Sequence, residues 1–204
     1  WVSESFEAKE DILVCCRKPY GKEDVSESDI YRMGVRAHIL QLIQLPEGSL
    51  KVFIEGKSRQ NIKRIFRHGN MLLAESEEAS DIASGDKRTE ALKRLVVEAF
   101  QEYCESYNVD IHSGMIEKIR FQDDPGLISD IIVSYTDLKT DKKQEILEER
   151  NVDIRLSRVY DYIQGELDIA KIQLNFKEQV KQRSESTRKH MPFEQGQAQK
   201  MSME

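Results

Sequence analysis

Gly56-Lys57-Ser58 has the ending of a phosphate-binding loop, in which backbone N–H groups and a lysine cradle phosphates. That loop also needs a glycine five positions before its Gly-Lys pair, and Lys51 stands there. The segment reads as a hairpin exit instead. His38, His68, His112 and His190 lie far apart, and Cys15, Cys16 and Cys104 form no Cys-x-x-Cys pair. Neither pattern converges on a metal ion, so no metal site is expected. An odd cysteine count with two neighbours adjacent reads as three reduced thiols. Asp123-Asp124 could serve as paired carboxylates, yet Pro125 directly after them makes Asp124 a helix cap. Serines and lysines are frequent, but none stands in the setting an activated nucleophile needs. Lys171, Lys177, Lys181, Arg183, Arg188 and Lys189 could touch phosphates. Glu178 and Glu185 dilute them, which favours a solvated helix face. No residue is assigned a catalytic, cofactor-binding or metal role.

The elements around these residues are legible. The chain has 204 residues, 33% charged and 39% apolar, with a formal net charge of −6. That suits a helix-rich, water-exposed protein and supplies no global basic field for nucleic acid. No apolar run approaches the roughly 18 residues of a membrane span. The N-terminus lacks the features of a signal peptide, so a cytoplasmic setting is expected. Trp1 in place of an initiator suggests a fragment or a trimmed chain.

Residues 1–78 read as β-rich. Ile12 to Cys16 is a short buried strand, Lys18 to Ser28 a loop, and Val35 to Leu45 a longer strand with apolar residues on both faces. Pro46-Glu47-Gly48-Ser49 supplies turn chemistry, and Leu50, Val52 and Ile54 begin the return strand. Gly56 marks a bend or bulge. A last short strand is expected around Met71 to Glu75. The acidic, small-residue stretch 79–87 reads as an exposed, flexible linker.

After it the apolar period changes from about two to about 3.6. Residues 88–150 form a helical subdomain, with Leu92, Val96, Phe100 and Tyr103 on one face of its first helix. Asn151 caps a long helix over 151–186, whose stripe is Leu156, Val159, Tyr160, Ile163, Leu167, Ala170 and Leu174, then Val180. About 35 residues at 1.5 Å each reach on the order of 50 Å. A small subdomain cannot cover that length, so the distal half should project. Residues 187–204 read as a poorly ordered tail.

Several of these segments resemble a known family. Asp124-Pro125-Gly126-Leu127-Ile128-Ser129-Asp130-Ile131-Ile132, Asp141 to Glu148 and Asn151-Val152-Asp153-Ile154-Arg155-Leu156 look like the helical part of the N-terminal domain of Lon, the ATP-dependent protease. Met33-Gly34-Val35, the turn Leu45-Pro46-Glu47-Gly48 and the return Val52-Phe53-Ile54-Glu55-Gly56 resemble its β part. The resemblance implies an α+β fold: a PUA-like β-barrel subdomain, then a helical bundle ending in one long projecting helix. Family members begin with two further strands and a helix, so the barrel is expected to be N-terminally truncated here, with Val2 to Lys9 the end of that helix. Phe193-Glu194-Gln195 weakly echoes the segment that precedes the family's ATPase.

The implied role is non-catalytic: recognition of unfolded or degron-bearing proteins and support of a hexamer. ATP and Mg are implied only for a parent protease's ATPase domain. Candidate substrate contacts are Leu45 and Pro46 at the hairpin tip, with Phe66 and Met71 nearby. Candidate contacts to other protomers are Leu167, Ala170 and Leu174. The alternative is a stand-alone PUA-like adaptor, ligand-binding or RNA-binding module, for which Lys51, Phe53 and Lys57 are the only hints.

Overall fold

The structure is a computed structural model that describes residues 2–19, 25–69, 71–83, 85–112 and 114–189, with residues 184–189 as backbone only. His190, Pro192, the Phe193–Gln195 segment and the rest of the tail lie outside the described residues, as do the side chains of Arg188 and Lys189.

Helix α1 (Val2–Ala8) leads into β1 (Ile12–Val14). Strands β2 (Met33–Gln44), β3 (Leu50–His68) and β4 (Met71–Glu78) follow, and the four make an antiparallel sheet in the order β1-β2-β3-β4. Helices α2 (Lys87–Tyr107), α3 (Met115–Arg120), α4 (Pro125–Ser134), α5 (Thr140–Glu148) and α6 (Val152–Lys189) complete the chain. The architecture is α+β, as expected. Among the described residues the sheet is open rather than closed into a barrel.

Gly34 and Gly56 have local reasons. A Cβ on Gly34 would lie 2.8 Å from the Val14 carbonyl and 2.9 Å from Cys15 Sγ, so only glycine lets β2 approach β1 there. The β2–β3 register shifts between Arg36 and Ala37, which pair with Ser58 and Gly56, so the expected bulge is present. No break separates the return strand from Ile62, Ile65 and Phe66. β3 runs unbroken for 19 residues, its first half paired to β2 and its second half to β4.

The helical core is continuous. Val96, Phe100 and Tyr103 of α2 meet Ile128 and Ile132 of α4, Ile146 of α5, and Val152, Leu156, Val159, Ile163 and Leu167 of α6. Local chemistry starts these helices where the sequence places them. Asp86 Oδ1 accepts from Arg88 N and Thr89 N at 2.8 and 3.1 Å, and Asp124 Oδ1 from Gly126 N and Leu127 N at 2.8 and 3.2 Å. Asn151 Oδ1 accepts from Ile154 N at 3.1 Å. Helix α6 is 38 residues long, about 57 Å at 1.5 Å per residue. Residues 171–183 are all exposed, so its distal part extends past the core.

The stretch 79–87 departs from the free linker expected there. Ala79 is buried and its N–H donates to Arg59 O at 2.9 Å. Ile82 pairs with the start of α6: its N–H donates to Arg150 O at 2.8 Å, and Val152 N–H returns to Ile82 O at 2.9 Å. Arg150 Nε donates to Ser80 O at 2.9 Å. Backbone pairing and an ion-pair network hold the front of this stretch against both halves of the molecule.

Candidate functional site

Four charged groups join the sheet to the helices. Arg155, on the buried stripe of α6, is 0% exposed. Its Nη1 donates to Asp81 Oδ1 at 3.0 Å and to Glu149 O at 2.9 Å, its Nη2 to Asp81 Oδ2, and its Nε to Ser129 Oγ at 2.8 Å. Arg59 of β3 donates to Asp130 Oδ1 at 2.5 Å and to Leu147 O at 3.0 Å, and lies 3.6 Å from Asp81 Oδ1. Burial alone would lower the Arg155 pKa. The Asp81 hydrogen bonds and the charges of Asp130, Asp81 and Asp124 outweigh it and hold the guanidinium above its ordinary value. The Arg–Asp fork is the bidentate geometry that only arginine supplies. A Cβ on Gly126 would come 2.3 Å from Asp81 Oδ2 and 2.6 Å from Arg155 Nη2. Gly126, Ser129, Asp130 and Arg155 are therefore parts of one clamp, which explains why those residue types stand there.

A cleft of about 480 Å³ opens beside the clamp, between β2–β3 and α4–α5. Val35, Gly56, Leu127, Val133, Ile146 and Leu147 supply its apolar wall, and Lys57, Arg59, Asp130 and Lys143 its charges. Gln144 also lines it. The Gln144 amide nitrogen donates to Met33 O and to Glu148 Oε1, both at 2.9 Å.

Beyond Ala37, β2 has no strand on its outer side among the described residues, and β4 pairs only with Gln60–His68 of β3. The outer half of the β2–β3 hairpin is therefore a two-stranded ribbon. Register places Leu42, Leu50, Val52 and Ile54 on one face and Ile43 and Phe53 on the other. Leu40 is 57% exposed, and Ile43, Leu50, Val52, Phe53 and Ile54 are exposed too. Lys51 Nζ sits 5.1 Å from the Phe53 ring centroid. Isolated exposed apolar residues are ordinary, but a contiguous set on one ribbon marks a contact surface. Apolar residues on both faces of Val35 to Leu45 suggest a barrel wall or a covered sheet, and Phe53 is only a hint of RNA binding, so sequence alone does not single out Leu40 or Leu50 as contact residues.

The candidate contact residues fall in separate places. Leu45 is half-buried and Pro46 exposed at the ribbon tip, where Leu45 N–H donates to Ser49 O at 2.8 Å. Phe66 and Met71 lie at the opposite end of β3, where His68 pairs with Met71. They are not near the tip, which corrects that expectation: one strand carries both pairs, but at its two ends. Phe66 is 37% exposed, beneath the Arg64 guanidinium at 5.7 Å. On α6, Leu174 is 59% exposed and Ala170 half-buried. Leu167 is 1% exposed within its own helical core, which corrects its assignment as a contact to another protomer. Ile172 and Phe176, outside the expected stripe, are exposed instead.

The other residues weighed for chemistry have local roles. Lys57 of the Gly-Lys-Ser triplet lies within β3 and pairs with Glu55. His38 is half-buried with Nδ1 3.1 Å from Asp11 Oδ1. Burial, with Cys16 beside it, pushes the Cys15 thiol up to about 11, and burial does the same for Cys104. Among the described residues no helix is long and apolar enough to cross a membrane.

Comparison with known proteins agrees with this geometry. Residues 2–165 match the family model described as the ATP-dependent protease La (LON) substrate-binding domain. The chain is 31% identical over 178 residues to Lon protease 1 of Myxococcus xanthus and 30% identical over 178 residues to Lon protease of Azospirillum brasilense, in each case over 87% of this chain. It spans only 22% of the length of either relative. Its fold is similar to that of the N-terminal domain of Mycobacterium avium complex Lon protease, with a TM-score of 0.54 and 19% identity over 76% of this chain and 90% of that one. It is also similar to the Lon N-terminal domain protein from Xanthomonas campestris, with a TM-score of 0.51 and 13% identity over 79% of this chain and 80% of that one. The chain belongs to the Lon substrate-binding domain family.

Proposed function

We propose that this chain is a non-catalytic protein-binding module of a Lon-type protease, working in the cytoplasm, that holds unfolded or degron-bearing proteins on the β2–β3 ribbon. The observation that carries the reading is the contiguous apolar surface of that ribbon. A two-stranded ribbon is marginal by itself, and its exposed leucines and Phe53 gain by being covered. An extended substrate offers apolar side chains to cover that surface; helix α1 packs against β2, so the contact is assigned to the ribbon's exposed side chains rather than to a bare strand edge. The distal part of α6, with Ile172, Leu174, Phe176 and Val180 exposed, is the element we assign to contacts with other protomers of a hexamer. In this reading the chain carries no cofactor of its own, and ATP and Mg serve a separate ATPase module.

Titration of the chain with a permanently unfolded protein, followed by fluorescence anisotropy, tests the reading. Saturable binding is expected, and Leu40→Asp with Phe53→Asp should weaken it by about tenfold or more, as loss of buried anchors does. Equal binding by the double variant refutes the ribbon as the site.

A further inference from the structure

We propose that the cleft between β3 and α5 binds the C-terminal end of an extended polypeptide whose last residue is apolar. The inference deepens the proposed function and rests on it, because the ribbon leads into the cleft at Gly56. Three observations select this occupant.

The lining carries Lys57, Arg59 and Lys143 against Asp130 alone, a basic spot on a chain of net charge −6. Asp130 is taken by Arg59 and Lys57 by Glu55, whereas Lys143 makes no ion pair among the described residues. Helix α5 opens at the same place. Its cap position is Lys139, which makes no side-chain capping bond, so first-turn N–H groups lack a capping acceptor, and exposed Asp141 does not supply one among the described residues. An uncapped helix start beside an unpaired lysine favours a carboxylate.

Leu127, Val133, Ile146 and Leu147 give the cleft an apolar wall, and about 480 Å³ accommodates one large aliphatic side chain and its backbone.

Gln144 is 2% exposed, and its Oε1 is the one buried side-chain polar atom without a partner among the described residues. Both acceptors beside its nitrogen fix the amide the right way round, so the oxygen has no donor. Leaving such an acceptor unmet is costly. A peptide's last residue carries an N–H next to its carboxylate, which a simple fatty acid lacks. That N–H supplies the donor that Gln144, a residue lining the cleft, lacks, once binding turns its amide oxygen toward the ligand.

Labelled ten-residue Gly/Ser peptides ending in Leu with a free carboxylate, ending in Leu amide, or ending in Ser test the proposal by anisotropy. The Leu acid should bind at least about tenfold more tightly than the amide and than the Ser acid, the margin of one charge-assisted contact or one buried side chain. Lys143→Glu should abolish the preference for the acid, and Lys143→Arg should retain it. Equal binding of acid and amide, or no binding of the Leu acid at millimolar concentration, overturns the proposal. Unfolded-protein binding that persists in either case leaves the proposed function standing, and its loss from the wild-type chain overturns both.

Discussion

Gly126→Ala sets two physical effects against each other. Alanine is favoured over glycine in a helix by about 1 kcal/mol, so local propensity alone expects a more stable α4. The new methyl group would lie 2.3 Å from Asp81 Oδ2 and 2.6 Å from Arg155 Nη2. Ends of long side chains normally yield, but these are pinned: Arg155 is fully buried and donates four hydrogen bonds, two of them to Asp81. Displacing the fork leaves a buried guanidinium short of partners, at a cost of about 3–5 kcal/mol for a broken buried pair. Partial displacement with the helix gain set against it gives a net loss of about 2 kcal/mol, or about 4–8 °C in Tm for a chain of this size. Gly165→Ala is the internal control. It lies within α6, and nothing stands within 4 Å of an added Cβ. It should gain up to about 1 kcal/mol. Urea denaturation of both variants reads the difference. A Gly126→Ala protein as stable as Gly165→Ala would show that the clamp is loose and that its residues do not join the two halves.

Asp81→Ala should destabilise by about 3–5 kcal/mol, because it strands the buried Arg155, and should split urea unfolding into separate sheet and helix transitions seen by different probes. Leu174→Glu and Phe176→Glu should change stability by no more than about 0.5 kcal/mol, the range of exposed substitutions, while reducing any self-association measured by light scattering. Limited trypsin digestion should cut at Lys177, Lys181 and Arg183 on the exposed end of α6 before any site within the helical core, and leave that core folded, read by mass spectrometry. Cys15 and Cys104 have thiol pKa values raised above the ordinary 9.0 to about 11. Their contribution to stability is therefore full below pH 9 and lost as pH rises toward 11, which thermal melts across that range would detect.

Much of the fold was legible because local chemistry and global packing agree. Asp124-Pro125 and Asn151 start helices in the structure as their types dictate, and the 3.6-residue stripe of α6 continues past what its core can cover. The clamp was harder to read. Arg155 looks like one cation among many on a charged helix, although it lies three residues after Val152 and four before Val159, on the buried stripe. A charge at a core position was the available signal, and it required a partner. Asp81 was hidden in the opposite way, within an acidic run whose composition suggests a linker. The continuity of β3 through Gln60-Asn61-Ile62 was obscured because its two halves pair with different strands and change which residues are buried. The ribbon's exposure depends on where neighbouring strands end, and no local pattern encodes that.

Hydrogen exchange of the chain with and without a bound unfolded protein, read by mass spectrometry, is the most direct test of where substrate is held. Slowed exchange over residues 38–44 and 50–56, with α2, α3 and the distal part of α6 unchanged, is the expected result. Protection confined to α2, α3 or the distal part of α6, with the ribbon exchanging as in the free chain, would contradict it.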